Sequence, residues 1–387
     1  MIRTGPHRTL LLLATDFPPS TGGIQTLTWE IYSRLADLTR LAVAPAAPLG
    51  PMDPLDNDAL PLTRTRRGLA PGWPTLHYLR QAASLIQRQR RPLALLHCNH
   101  LFAGFAGWWL RRRWGLPYLV WVHGEELTKC RYPRLARASL TSAAAICCNS
   151  AFTADQVRRC LLGRRLPPLH QVVLGASRAW RTAPPRAHPG LLPTILTVAR
   201  LAQRHRYKGV DTALAAMALL RDRGHAFRYQ IAGDGDDRGY LQALARQLGL
   251  ADRVEFLGRL PDNDLMAAYD RCDIFLLCSR EQPTPRGLGF EGFGIALLEA
   301  NARGKPVVGG RSGGITTAVV ADVTGLLADP DSAEAVAGAL ERLLDDPALR
   351  ARLGAQGRAR VEREYNWEHA ADQVRALHGQ LLPGGRA

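Results

Sequence analysis

The chain has 387 residues, 46% of them hydrophobic, and a formal net charge of +16. That length calls for two domains, each with its own core. No apolar run reaches the ~18 residues a membrane span requires. The charge is uneven. Residues 1–190 hold 25 Arg and Lys against 9 Asp and Glu, whereas residues 191–387 hold 25 against 25. The first half therefore suits an acidic partner, whether nucleic acid, anionic lipid or a phosphorylated acceptor. The seven cysteines show no C-x-x-C and no metal spacing, and most lie in apolar strands, as free thiols do in a reducing cytosol.

The apolar run Leu10–Ala14 is too short for a signal core and reads as the heart of a first strand, Thr9–Thr15. Asp16-Phe-Pro-Pro-Ser-Thr-Gly-Gly-Ile-Gln follows, then an amphipathic helix from about Thr26 to Leu38. Strand, Gly22–Gly23 turn and helix form the phosphate-facing end of a Rossmann-like unit, although G-x-G-x-x-G is absent. Leu41–Pro45 and Leu93–Cys98 read as strands, separated by a long Pro- and Asp-rich loop at 45–74 and a helix from about Thr75 to Arg91. A helix from about Leu101 to Trp114 ends in Trp108, Trp109, Arg111, Arg112, Arg113 and Trp114. Tryptophan beside arginine at a helix end suits either an anionic lipid surface or a helix packed on the sheet with a solvated basic end. The charge excess of this half favours lipid. Pro117–Val122 is a strand ending in His123-Gly-Glu-Glu, at the strand end where α/β folds place ligands. Ala143–Ser150 is another strand, and Ser150 suits the cap of the helix after it.

Residues 177–190 have three prolines and no apolar period, and read as a linker. Strand Thr194–Val198 leads to Arg200, and Lys208-Gly209 opens a helix to about Leu220. Arg as a fork and Lys as a point charge suit a diphosphate. Arg228–Ala232 is a strand followed by Gly233-Asp-Gly235-Asp-Asp, whose carboxylates lack the further ligands an octahedral metal site needs. Strand Val254–Leu257 and the turn to Leu260 come next, then strand Ile274–Cys278 and a Pro- and Gly-rich loop over the site. Glu291 and Glu299 stand eight apart, with Gly292-Phe293-Gly294 opening an apolar helix at Ile295. A helix N-terminus preceded by glycines is an anion site, and Glu299 can accept hydroxyls on one side of the same ligand. Phosphate and polyol together mean a nucleotide sugar. Ser312-Gly313-Gly314 reads as a further anion-friendly turn, and helices at 332–345, 347–364 and Glu368–Leu382 complete the chain.

Glu-x7-Glu with Gly-Phe-Gly-Ile resembles the retaining glycosyltransferases of family 4. So do, in order, the Gly-Gly loop, His-Gly-x-Glu, the Arg/Lys pair and Gly-Asp-Gly. Asp-Phe-Pro-Pro-x-x-Gly-Gly-Ile-Gln resembles the opening of the family's phosphatidylinositol mannosyltransferases. The resemblance implies the α/β GT-B fold: two Rossmann-like domains facing across a cleft, residues 1–180 and 191–365, with a crossover helix and tail at 366–387. It implies a metal-independent transferase with no cofactor, moving a hexose from a GDP-mannose- or UDP-glucose-type donor to a lipid-linked or glycan acceptor. By the same resemblance Gly22 and Gly23 touch the distal phosphate, and Asp16 lies near the acceptor. His123 holds the sugar, Arg200 and Lys208 hold the diphosphate, and Gly233, Gly235 and Leu260 lie near the nucleotide. Glu291 and the amides of Gly292, Phe293, Gly294 and Ile295 meet sugar and diphosphate, while Glu299 takes the ribose. The segment between Arg200 and Lys208 is longer than in the phosphatidylinositol enzymes, which leaves Arg204 and Arg206 as rivals for the Arg role. The expected location is cytoplasmic, peripheral on the inner membrane face, through the basic first half. Two alternatives stand beside this reading: a non-transferring GT-B enzyme such as an epimerase or phosphorylase, and a basic nucleic-acid-binding protein. No stacking platform or helix-turn-helix string supports the latter.

Overall fold

The computed structural model describes residues 9–15, 17, 22–35, 39–44, 62–64, 74–88, 93–176, 180–181, 192–285 and 287–381. The chain divides into two compact units, residues 1–174 with 367–387, and residues 175–366.

In the first unit β1 (Thr9–Leu13), α1 (Gly23–Ser33), β2 (Thr39–Ala44), β3 (Leu62–Arg64), α2 (Pro74–Arg88) and β4 (Leu93–Cys98) come first. Then follow α3 (Leu101–Trp114), β5 (Tyr118–Val122), α4 (Glu125–Thr128), α5 (Pro133–Ser142), β6 (Ala145–Cys148), α6 (Ala151–Cys160) and β7 (Leu169–Gln171). The seven strands form one parallel sheet in the order β3-β2-β1-β4-β5-β6-β7. All five residues of β1 and of β5 are buried, as parallel strands covered on both faces must be. The segment expected as a loop at 45–74 contains β3, which pairs with β2 from Ala42↔Leu62 to Ala44↔Arg64. Arg66, Arg67 and Asp16 lie outside the described residues.

The second unit holds β8 (Thr194–Val198), α7 (Val210–Asp222), β9 (Arg228–Ala232), α8 (Arg238–Gln247), β10 (Val254–Gly258), α9 (Asp262–Arg271) and β11 (Ile274–Leu277). These are followed by β12 (Gln282–Thr284), β13 (Gly287–Gly289), α10 (Ile295–Ala302), β14 (Val307–Gly310), α11 (Ile315–Ala318), β15 (Gly325–Ala328), α12 (Ala333–Asp345) and α13 (Pro347–Glu364). Its main sheet is parallel, in the order β10-β9-β8-β11-β14-β15. The stretch expected as a loop before Glu291 is instead a short antiparallel hairpin, β12 with β13, from Gln282↔Gly289 to Thr284↔Gly287. Thr284 Oγ1 donates to the Gly287 carbonyl (2.6 Å) and closes its turn.

The last helix, α14 (Trp367–Leu381), belongs to the first unit and packs on α1. Its buried face carries Trp367, Ala370, Ala371, Val374, Leu377 and His378. His378 Nε2 lies 2.8 Å from Nε2 of the fully buried His97 on β4, and Tyr32 of α1 hydrogen-bonds the other ring nitrogen of His97. Burial, and then the neighbouring His378, hold the His97 imidazolium well below the usual histidine range.

Candidate active site

Each sheet reverses its winding once. In the second unit the chain runs outward from β8 through β9 to β10, then restarts at β11 on the other side of β8. The crevice beyond the carboxyl ends of β8 and β11 is where such sheets bind ligands. The loop after β8 carries Arg200 and Lys208; the loop after β11 carries Ser279, Glu291 and the start of α10. Lys208 and Glu291 thus meet at one switch point because of strand order, although 83 residues separate them.

Lys208 Nζ and Glu291 Oε2 form an ion pair whose side chains are 19% and 14% exposed. Ser279 Oγ donates to the same carboxylate oxygen at 3.4 Å. Lys208 ends a 3-10 turn, Gln203–Lys208, and Gly209 in the left-handed region (φ 70°) starts α7. The turn is pinned from both sides. Arg280, just past β11, grips Asp211 in the first turn of α7 through two hydrogen bonds of 2.9 and 2.8 Å, and its amide donates to the Tyr207 carbonyl (2.8 Å). Arg206 grips Asp237 at 2.8 and 2.6 Å, and its guanidinium lies 4.5 Å from the centre of the Tyr240 ring. Asp237 is 3% exposed, so Arg206 is committed to a structural pair. Arg200 and Arg204 are exposed. A pocket at this turn is lined by Arg200, His205, Arg206, Lys208, Asp237 and Tyr240, among others.

The Gly-Asp-Gly turn is built for backbone contact. A Cβ on Gly233 would overlap the Ala199 carbonyl oxygen, and one on Gly235 the Leu201 carbonyl oxygen. These glycines let the loop after β9 lie against the loop after β8, where the Leu201 amide donates to the Asp234 carbonyl (3.0 Å). Its acids are occupied: Asp234 accepts from the Gly235 amide (2.9 Å), Asp236 from the Gln203 amide (2.8 Å), and Asp237 from Arg206. Leu260, after β10, is half-buried.

Helix α10 starts at Ile295, with Gly294 as its cap in the left-handed region (φ 94°). Phe293 is 2% exposed and lies against Tyr365, so its side chain packs the unit and only its backbone faces the loop. The Ser312-Gly313-Gly314 turn is not an open anion site. The Gly314 amide donates to the Glu291 carbonyl (2.7 Å), and a Cβ there would overlap the Gly292 carbonyl oxygen. That turn therefore shapes the Glu291 loop from behind. Glu299, one helical turn further into α10, is partly buried, and burial pushes its carboxyl up to about 7. Tyr269 on α9 donates to Glu299 Oε2 at 3.0 Å.

In the first unit the winding reverses between β1 and β4. Gly22 caps α1 and Gly23 is exposed. Asn99, after β4, is fully buried and ties this end together. Its Oδ1 accepts from the Thr15 amide (2.9 Å), its Nδ2 donates to Thr28 Oγ1 (3.1 Å), and its carbonyl lies 2.8 Å from His123 Nε2. The carbonyl can only accept, so Nε2 carries a proton and donates to it, which leaves Nδ1 facing away from this bond. Glu126, the acid of His-Gly-x-Glu, is buried and accepts from the His123 amide at 2.6 Å. It holds the loop rather than meeting a ligand. Ser150 accepts from the Thr153 amide (3.1 Å) and caps α6.

The tryptophan–arginine segment divides between core and surface. Gly104 and Gly107 bring α3 close against β5, and Trp108 and Trp114 pack on the core. Trp109 is 41% exposed, and Phe102, seven residues earlier on the same face, is 42% exposed. Arg111 hydrogen-bonds the Ser142 carbonyl, while Arg112 and Arg113 are exposed, their guanidiniums 5.4 and 5.0 Å from the Trp108 and Trp114 rings. Asn99, Tyr269 and Arg280 escaped the sequence reading. Arg280 alone had a signal, as a basic residue at a strand's carboxyl end; the other two act through neighbours distant in the chain.

Solved structures share this architecture across nearly the whole chain. Sucrose-phosphate synthase from Thermosynechococcus elongatus superposes over 97% of this chain and 99% of its own with a TM-score of 0.80 at 23% identity. The Anabaena protein HepE in complex with UDP and glucose superposes over 97% and 100% with a TM-score of 0.78 at 18% identity. These neighbours share the GT-B fold. The family descriptions "Glycosyl transferase 4-like domain" and "Glycosyl transferases group 1" match residues 22–175 and 182–360, one on each unit. The chain belongs to family 4 of the glycosyltransferases. Its relatives include the GDP-mannose-dependent alpha-(1-6)-phosphatidylinositol monomannoside mannosyltransferase of Mycobacterium tuberculosis, 29% identical over 94% of this chain and 96% of that one. The D-inositol 3-phosphate glycosyltransferase of Salinispora arenicola is 28% identical over 74% of this chain and 69% of its own.

Proposed function

We propose that this enzyme transfers a hexose, with retention, from a nucleotide diphosphate sugar to a hydroxyl of a lipid-linked or glycan acceptor, without a divalent metal. GDP-mannose is the donor we favour, on the strength of the mannosyltransferase relative; a UDP-glucose-type donor is the alternative. The observation that carries the reading is the Lys208–Glu291 pair at the carboxyl-end switch point, beside the N-terminus of α10. In the ligand-free protein each group neutralises the other. A diphosphate would take the ammonium, and a sugar hydroxyl would donate to the released carboxylate. Arg200 and the amides of residues 292–295 would share the phosphate charge. His123 Nδ1 would accept from a substrate hydroxyl, and Glu299 from the ribose.

In the step itself, the acceptor oxygen bonds to the anomeric carbon on the face the nucleotide leaves. The carbon–phosphate-oxygen bond breaks, and the acceptor's proton passes to the departing diphosphate oxygen. Fixed cations replace a metal, which accords with Asp234, Asp236 and Asp237 each being engaged by a protein donor. The exposed Phe102–Trp109 face of α3, with Arg112 and Arg113, supports a peripheral anionic membrane surface as the place of work. Among the described residues no helix is long and apolar enough to cross a membrane. The cytoplasmic face is the assignment we make.

A thermal-shift screen of nucleotide sugars with and without EDTA, followed by transfer to acceptors in anionic vesicles, tests this. GDP-mannose stabilisation and transfer that survive EDTA are expected. Loss of both on chelation, or no response to any nucleotide sugar, overturns it.

A further inference from the structure

Tyr269 has no part in the reading above, and its surroundings are unusual for a core tyrosine. It lies on α9, fully buried, with Phe275 of β11 stacked at 5.3 Å on one side and Trp180 edge-on at 5.2 Å. A hydroxyl in so apolar a cage must find a partner or lose ~1–3 kcal/mol. It finds two on one face of α10, Glu299 Oε2 at 3.0 Å and the Ala296 carbonyl at 3.3 Å. Burial first, and then the Glu299 carboxylate, push the phenol well above its usual range, so it stays a donor at every working pH.

Resting on the assignment of Glu299 to the ribose, we propose that Tyr269 is a positioning residue that holds Glu299 Oε2 so that Oε1 is presented to the ribose hydroxyls of the bound nucleotide. A glutamate has three torsions, and a carboxylate left to rotate would accept from water as readily as from ligand. The ring is fully buried and flanked by Phe275 and Trp180, which hold it in place. The hydroxyl therefore fixes the plane of the carboxyl group. It also opposes the cost of charging that group. Of the two groups on α9 that face Glu299, Tyr269 favours the ionised form and Asp262 disfavours it. Nucleotide binding that uses the carboxylate should thus strengthen as pH rises through about 7, and removing the phenol hydroxyl should move that midpoint upward.

The test titrates GDP and UDP, and their 2′,3′-dideoxy counterparts, into the whole enzyme between pH 5.5 and 8.5, in wild type, Tyr269→Phe and Glu299→Gln. For wild type, the nucleotide that binds more tightly should be preferred over its dideoxy form by about ten-fold at pH 8. Glu299→Gln should lose most of that preference. Tyr269→Phe keeps the ring and its packing. It should lose several-fold of the preference at pH 7, bind the dideoxy probe as wild type does, and shift the binding midpoint up by about one pH unit. If Glu299→Gln keeps the full preference, or neither nucleotide binds wild type, the ribose assignment falls and the proposal with it. If Glu299→Gln abolishes the preference while Tyr269→Phe retains both preference and midpoint, the ribose assignment stands and Tyr269 is only core. Equal weakening of both probes by Tyr269→Phe likewise marks a packing effect and overturns the positioning role.

Discussion

Lys208 faces two claims on one ammonium, Glu291 in the ligand-free enzyme and a diphosphate in the proposed complex. Lys208→Ala removes the leaving-group charge and leaves Glu291 unpaired beside a phosphate. The expected outcome is a kcat lower by ~100-fold or more with the fold intact, read by transfer assay and thermal melt. An unchanged turnover would remove Lys208 from the site. Glu299 makes a second prediction. Its carboxyl is raised to about 7 in the folded protein against the ordinary 4.5. The unfolded chain therefore releases its proton first. The folded state is unpenalised below about pH 4.5 and loses stability as pH rises from there to about 7, with no further loss above. Glu299→Gln, which still accepts from Tyr269, should stabilise the ligand-free enzyme by ~2 kcal/mol at pH 8 and by almost nothing at pH 4.5. Denaturant titrations at the two pH values measure it. A stabilising change that weakens nucleotide binding is what a residue kept for function predicts.

At the scale of elements, the loop at 291–294 is shaped by the turn at 312–314 rather than by its own sequence. Gly314→Ala would drive a methyl into the Gly292 carbonyl oxygen. We expect ~2–4 kcal/mol lost and donor binding weakened together. Gly338→Ala on α12, where a Cβ meets nothing within 4 Å, should gain ~0.5–1 kcal/mol instead. Urea unfolding of the pair separates close approach from helix propensity. Equal effects would mean the turn is not packed as described. Most elements were legible from periodicity: α3 and β8 run over the residues expected. The β12–β13 hairpin was not, because three-residue strands flanked by Pro and Gly carry no alternation to read.

Across the whole chain, the first unit is closed by its last helix. Tyr32 from α1, His97 from β4 and His378 from α14 join residues 281 apart in a buried polar chain. His97 is held well below the usual histidine range, so the unfolded chain binds a proton that the folded one refuses. Stability should be full above pH ~6.5 and fall as pH drops below it. Melting midpoints between pH 7.5 and 5.5 should decline, and His97→Gln should flatten the decline. An undiminished slope in that variant would assign the pH dependence elsewhere.

The amino-acid order by itself pointed to the α/β architecture, since strand–turn–helix units with strands as apolar as β1 and β5 favour parallel sheets covered on both faces. It also brought forward the ordered motifs, because glycines and isolated charges at strand ends are local features. Tertiary structure alone decided which charges meet. Along the chain Arg206 stood with Arg204 as a rival of Arg200, and only the approach of Asp237 shows it committed to a structural pair, while Lys208 meets Glu291. The same holds for Gly314 and Gly292, and for Tyr269 and Glu299. Their partners come from other segments, and no local pattern records an interaction whose distance is set by the packing of whole sheets.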